Sequence, residues 1–178
     1  RVVATHGGLE HARHPVAVGH YEGDVLVGAE SFLDARLGGR LGWRLAMNLY
    51  PGKRDTAEVI LTPECNPTGA IVIGLGQIGE ITPEILARGV TEAALRSALA
   101  VAECPIVEGE GLRWRSAAFS SVLMGTTGGR ALSVETAVVA IVQGAIMANR
   151  ILYERGMWDK VRIDEVEFIE QYEDIATH

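Results

Sequence analysis

Residues 70–79 read Ala70-Ile71-Val72-Ile73-Gly74-Leu75-Gly76-Gln77-Ile78-Gly79, an apolar run ending in glycines spaced G-x-G-x-x-G. This is the pattern of a strand feeding a dinucleotide fingerprint, whose glycines let the backbone approach a pyrophosphate at a helix N-terminus. The neighbouring residues argue against that reading. A pyrophosphate-binding helix opens inside its glycine motif, so that unpaired N–H groups face the anion. Here the helix signal begins later: Thr82 is a good N-cap, Pro83 occupies the first helical position and Glu84 suits the positive end of the macrodipole. Glu80 and Glu84 bring negative charge to the place where phosphates should lie. No strand ending in Asp or Glu follows at about 20 residues, as ribose recognition requires. What remains is a buried strand at 71–74 closed by a tight glycine turn.

Working outward, 1–5 and 15–21 have strand character, with Gly7-Gly8 and Pro15 supplying turns and 9–11 a brief extended piece. Residues 28–37 suit a helix ended by Gly38-Gly39, 41–50 is ambiguous, and 55–62 alternates as a strand. Apolar residues recur at helical spacing from Ile85 to about Glu103, and again from Val134 to about Arg155 after the N-cap Ser133. Residues 115–124 form another strand candidate. Residues 161–172 alternate, with Val161, Ile163, Val166 and Phe168 inward and Asp164, Glu167 and Glu170 outward, as in a charged, half-exposed edge strand. Strands 16–19, 59–62, 71–74 and 120–124 are apolar on both faces and are expected at the centre. The fold class is a three-layer α/β/α sandwich with a mixed central sheet, and 1–178 is expected to be one domain.

Composition narrows the partners. The 178 residues hold 16 Lys and Arg against 23 Asp and Glu, a net charge of −7, which disfavours broad contact with nucleic-acid phosphates. No uninterrupted apolar run has the roughly 18–20 residues that cross a bilayer, so no membrane partner is expected. The two cysteines, Cys65 and Cys104, stand apart, which fits a cytoplasmic protein and neither a zinc motif nor a redox motif. The chain opens on Arg1 and an apolar stretch without an initiator Met, and is expected to be a fragment of a larger multidomain protein.

The second glycine cluster is better built for an anion. In 120–141, Ser-Ser-Val-Leu-Met-Gly-Thr-Thr-Gly-Gly-Arg-Ala-Leu-Ser leads into the Val134 helix, so a strand, a glycine loop and a helix start follow directly. Backbone N–H groups of Gly125, Gly128 and Gly129 can converge into a nest, with the Thr126 and Thr127 hydroxyls and the Arg130 guanidinium as further donors. The alternative is a turn that uses glycine for geometry alone.

The order of elements resembles a macro-type domain. The opening VVATHGGLEHARHPVAVGHY is similar to the macro pattern of a strand, a Gly-Asp-Ile/Leu turn and a strand ending near the ligand. FSSVLMGTTGGRALSVETAV resembles the macro phosphate loop. AIVIGLGQIGEITPEILARGVTEAALRSALA and the helix SVETAVVAIVQGAIMANRIL are similar to the N-terminal domain of leucyl aminopeptidases. PVAVGHYEGD, GLGQIGEITP and VRIDEVEFIEQYED together resemble a non-catalytic region of large bacterial proteins that also carry a CHAT (caspase-like) domain.

The resemblance implies a macro-like fold, with Gly19, His20, Gly125, Thr126, Thr127, Gly128, Gly129 and Arg130 as ligand-binding candidates. Two departures matter. Gly8 stands where macro domains place the Asp that holds adenine, and Gly19-His20-Tyr21 stands where their active-site Asn residues lie. The expected function is therefore a non-catalytic regulatory or interaction module of a larger bacterial CHAT protein, contacting other domains of that polypeptide or a protein partner. Any protease activity would reside in another domain. The alternative is a nucleotide or ADP-ribose-type ligand binder, including a hydrolase.

Other groupings carry less. His6, His11 and His14 lack a ligand set with metal-site spacing and suit a solvated hairpin. His20 is either a general base or donor, or a satisfied core histidine. Glu108 and Glu110 suit a solvated turn, Trp43, Trp114 and Trp158 suit packing anchors, and Cys104 has no activating His nearby. No catalytic residue, metal ligand or cofactor is assigned.

Overall fold

The computed structural model describes residues 1–104, 114–126 and 131–170. In chain order the elements are β1 (Val2–His6), a 3-10 turn (Leu9–His11), β2 (Val16–Tyr21), α1 (Gly28–Arg36), α2 (Arg40–Ala46), β3 (Ala57–Leu61) and β4 (Gly69–Gly76). There follow α3 (Pro83–Glu103), β5 (Arg115–Ser116), β6 (Phe119–Ser121), α4 (Val134–Glu154), β7 (Val161–Arg162) and β8 (Val166–Glu170). Six strands form one sheet in the order β1-β8-β6-β2-β4-β3, parallel except for β3, while β5 and β7 pair separately.

The two faces of the sheet follow from strand alternation. On β2 and β4, Val16, Val18, Ala70 and Val72 pack with Leu33 of α1 and Leu41 of α2. Their neighbours Ala17, Ile71 and Ile73 pack with Leu86 and Val90 of α3 and Ile141 of α4. Every residue of β4 is buried, as a strand covered by helices on both sides requires. The three-layer sandwich expected from the sequence is the observed fold.

Local chemistry sets the long helices. Thr82 accepts a hydrogen bond from the Ile85 amide at 3.3 Å, and Ser133 accepts one from the Thr136 amide at 3.2 Å. The helices touch closely because Gly144 has no side chain: a Cβ there would lie 2.6 Å from the Val90 Cβ. The Thr91 hydroxyl donates across the gap to the Gly144 carbonyl at 3.2 Å. Helix α4 has the length and apolarity of a bilayer-crossing segment, with a mean hydropathy of 1.4 over its best window. Its buried residues Ala137, Ile141, Ala145 and Ala148 lie in the core.

Several local expectations need correction. Residues 9–11 are a 3-10 turn rather than extended, because the His11 and Ala12 amides bond back to Gly8 and Leu9 and bury Leu9. The ambiguous 41–50 stretch holds all of helix α2 but its first residue, and the open amides at Leu41 and Gly42 donate to Asp34 at 2.8 and 2.9 Å. The strand expected at 115–124 is split, since β5 leaves with β7 while β6 joins the main sheet. Residues 59–61 belong to β3, which is an edge strand and not a central one.

The largest correction concerns 161–172. Its second half, β8, is an interior strand between β1 and β6, and β1 forms the edge. Glu167 is therefore not outward-facing: it is 0% exposed. A buried carboxylate needs donors, and this one has four. The Thr5 hydroxyl donates at 2.7 Å, the Ser120 hydroxyl at 2.6 Å, the Arg13 amide at 3.0 Å and the Arg13 guanidinium at 2.7 Å.

Burial pushes the Glu167 carboxyl upward, but the bonds from Ser120, Arg13 and Thr5 outweigh it and hold the group at about 2. A carboxyl lowered on folding contributes stability that is complete above its usual 4.5 and is lost as the pH falls through about 2. Urea unfolding between pH 5 and pH 2 should therefore cost the wild type about 3 kcal/mol that Glu167→Gln does not lose. Equal acid sensitivity in the two proteins would contradict this assignment.

Candidate functional site at the carboxyl edge of the sheet

Gly74 and Gly76 of the 70–79 run make room for the protein's own 52–56 loop. Gly74, Leu75 and Gly76 are still in β4. A Cβ on Gly74 would overlap the Lys53 carbonyl oxygen and the Thr56 hydroxyl, and one on Gly76 would lie 2.7 Å from the Arg54 side chain. The 52–56 loop is bonded there, with the Gly74 amide donating to Thr56 O at 2.9 Å and the Gly76 amide to Gly52 O at 2.8 Å. Arg88 of α3 clamps the same loop through Asp55 at 2.6 and 3.1 Å. The close approach that a pyrophosphate would need is already taken by a loop of the chain.

Strand β2 ends between this loop and the second glycine cluster. Leu75 is an extra residue in the β2–β4 pairing, which runs His20 to Gly74 and then Tyr21 to Gly76. Its side chain fills the space that a side chain on Gly19 would need. The next residue, His20, points to the other face. It is 3% exposed, and its Nδ1 lies 2.9 Å from Glu30 of α1. The Tyr50 hydroxyl donates to the same carboxylate at 2.8 Å, and the Tyr50 ring meets the His20 ring edge-on at 4.8 Å. Burial, with the charge of Glu30 and the bond to it, pushes the Tyr50 hydroxyl far above its ordinary range, so it stays a donor.

His20 and Tyr50 line a cleft of about 530 Å³. Its other walls are the 22–24 turn, Leu45 and Leu49, and the 51–58 segment. Glu22, Asp24 and Glu58 set three carboxylates against the single ammonium of Lys53, with Arg44 paired to Glu58 at 2.8 Å. Neither Gly125 nor Thr126 belongs to this lining.

The second glycine cluster follows β6 at the same edge. Gly125 is buried with φ +73°, a conformation that favours glycine, and the Leu132 amide donates back to its carbonyl at 2.8 Å. Thr126 is half-buried. Thr127, Gly128, Gly129 and Arg130 lie outside the described residues, as do Glu108 and Glu110.

The remaining groupings are structural. His14 lies 3.2 Å from Glu165 and His11 lies 3.8 Å from Glu10. Among the described residues no three His, Cys, Asp or Glu side chains group as a metal site. Trp114 and Trp158 both stack on the Arg162 guanidinium, but Trp43 is 62% exposed and is not a packing anchor. Sequence reasoning missed Glu30 and Tyr50. Glu30 has the position of an ordinary first-turn helix acid, and Tyr50 sits in the ambiguous stretch; only the fold brings them to His20.

The strand order and the helices on both faces define a macro-type α/β/α fold. The structure is similar to that of the macrodomain of Thermus aquaticus DarG, with a TM-score of 0.58 over 96% of this chain and 98% of that one, at 11% identity. At that identity the likeness carries the fold. No protein-family model and no curated protein matches the sequence.

The glycine assignment is testable by stability. Gly74→Val should destabilise by about 3 kcal/mol, because backbone of the 52–56 loop must move. Gly79→Ala, with φ +84° and open space around it, should cost only about 1 kcal/mol. Equal losses in chemical denaturation would remove the loop contact as the reason for Gly74.

Proposed function

We propose that the chain binds a small anionic, nucleotide-type ligand of the ADP-ribose class at the carboxyl edge of its sheet. The observation that carries this is the loop after β6. Gly125 turns the chain at the edge where open α/β sheets bind ligands, and α4 opens just beyond with its N-terminus capped by Ser133. The sequence Gly125-Thr126-Thr127-Gly128-Gly129-Arg130 offers main-chain donors, two hydroxyls and a guanidinium to a phosphate. The macrodomain-like fold supports the ADP-ribose class. Gly19-His20-Tyr21, in place of the active-site Asn residues expected of a macro domain, favours binding over hydrolysis, while Gly8, in place of the adenine-holding Asp, counts against a contact to adenine.

A second reading is an interaction module within a larger bacterial CHAT-type protein in the cytoplasm. It is supported by Val139, Ile146 and Tyr153, which recur every seven residues along α4 and are 52%, 63% and 69% exposed.

Calorimetric titration with phosphate, AMP and ADP-ribose separates the two. Arg130→Ala should weaken the wild-type affinity by roughly 1.5–3 kcal/mol, the worth of a charge-assisted hydrogen bond. Gly128→Val should abolish binding by blocking the backbone approach. Equal affinity in all three proteins would exclude the loop, and no affinity in the wild type would leave the interaction module.

A further inference from the structure

The His20 cleft lies beside β2 on the side away from β6, and its chemistry is the reverse of a phosphate site. We propose that it is a second binding site, for a compact cation bearing N–H donors: a guanidinium or a primary amine on a short apolar stem.

Three features carry this. The cleft is built rather than incidental, since its 52–56 wall is bonded to Gly74 and Gly76 and clamped to α3 through Arg88 and Asp55. Its inner end holds a polar side chain with an open valence. His20 is 97% buried and its Nδ1 is taken by Glu30, while Nε2 has no hydrogen-bond partner among the described residues. A carboxylate only accepts, so Nδ1 carries a proton, and in that tautomer Nε2 is the ring's acceptor for an N–H group. Tyr50 gives its only hydrogen to Glu30 and cannot compete for that position.

The third feature is charge. Glu58 is balanced by Arg44, but Glu22 and Asp24 have no ion-pair partner among the described residues. They leave the mouth acidic against Lys53 alone, which repels phosphates and attracts a cation. Leu45 and Leu49 supply an apolar wall for a methylene stem.

The probe is agmatine, which carries both cationic groups, with glutarate as an anion of similar length. Titrations followed by amide NMR should show saturable shifts at Gly23, Gly52 and Thr56 with agmatine and none with glutarate. The double variant Glu22→Gln/Asp24→Asn keeps the fold, because an Asn at 24 can still accept from the Val25 amide, and should weaken agmatine roughly tenfold. His20→Phe should also weaken it, with the variant's fold checked by its amide spectrum. No saturable agmatine shift, or equal agmatine affinity in wild type and the folded double variant, would overturn the site. AMP should not move these amides, so failure here leaves the anion reading of the 125–130 loop untouched.

Discussion

The carboxylate of Glu167 fastens together parts of the chain that are far apart in sequence. It takes hydrogen bonds from β1, from β6 and from Arg13, just before β2. Leaving such a group buried without donors would cost several kcal/mol, so each donor must arrive in register. Arg13 also pairs with Glu165 at 2.8 Å, and His14 joins the same acid. Tying Thr5 of β1, Ser120 of β6 and Arg13, just ahead of β2, to one carboxylate of β8 fixes the register of four neighbouring strands, and with it where β2 ends at Tyr21 and where the chain after β6 reaches Gly125. The charge network at one edge of the sheet thus positions the candidate ligand edge opposite.

At that opposite edge, absence of side chains does the work that charge does at the first. Gly74 and Gly76 admit the 52–56 loop, and Gly19 admits Leu75. Each is a place where backbone or a neighbouring side chain comes closer than a Cβ would permit. The resulting wall closes one side of the acid-lined cleft.

Much of the architecture could be read from sequence because its causes are local. Thr82-Pro83 and Ser133 start α3 and α4 through bonds made within one turn, and the unbroken apolar run at 70–73 can only be a doubly covered strand. The place of β8 could not be read that way. Alternating charge at Asp164, Glu167 and Glu170 resembles a solvated edge, and only the donors from Thr5, Arg13 and Ser120 turn Glu167 inward. The site was legible in part. His20 and the 125–130 loop stand out as residue types after strands, but Glu30 and Tyr50 become partners of His20 only when α1 and the 50–56 segment fold over β2. The spacing of the first glycine motif was the misleading signal, since close approach to one's own loop demands the same residue as close approach to a phosphate.

The bulge at Leu75 constrains how this chain can vary over generations. Side chains on a strand alternate faces, so one extra residue in β4 reverses the orientation of everything beyond it. Loss of that residue would turn the following positions to the wrong layer and empty the space above Gly19. Substitutions near 75 can be absorbed one at a time, but a change in length there cannot be. Lineages descended from this chain should keep a fixed count of residues from Gly69 to Pro83, while surface turns such as the one at Gly38-Gly39 remain free to grow or shrink.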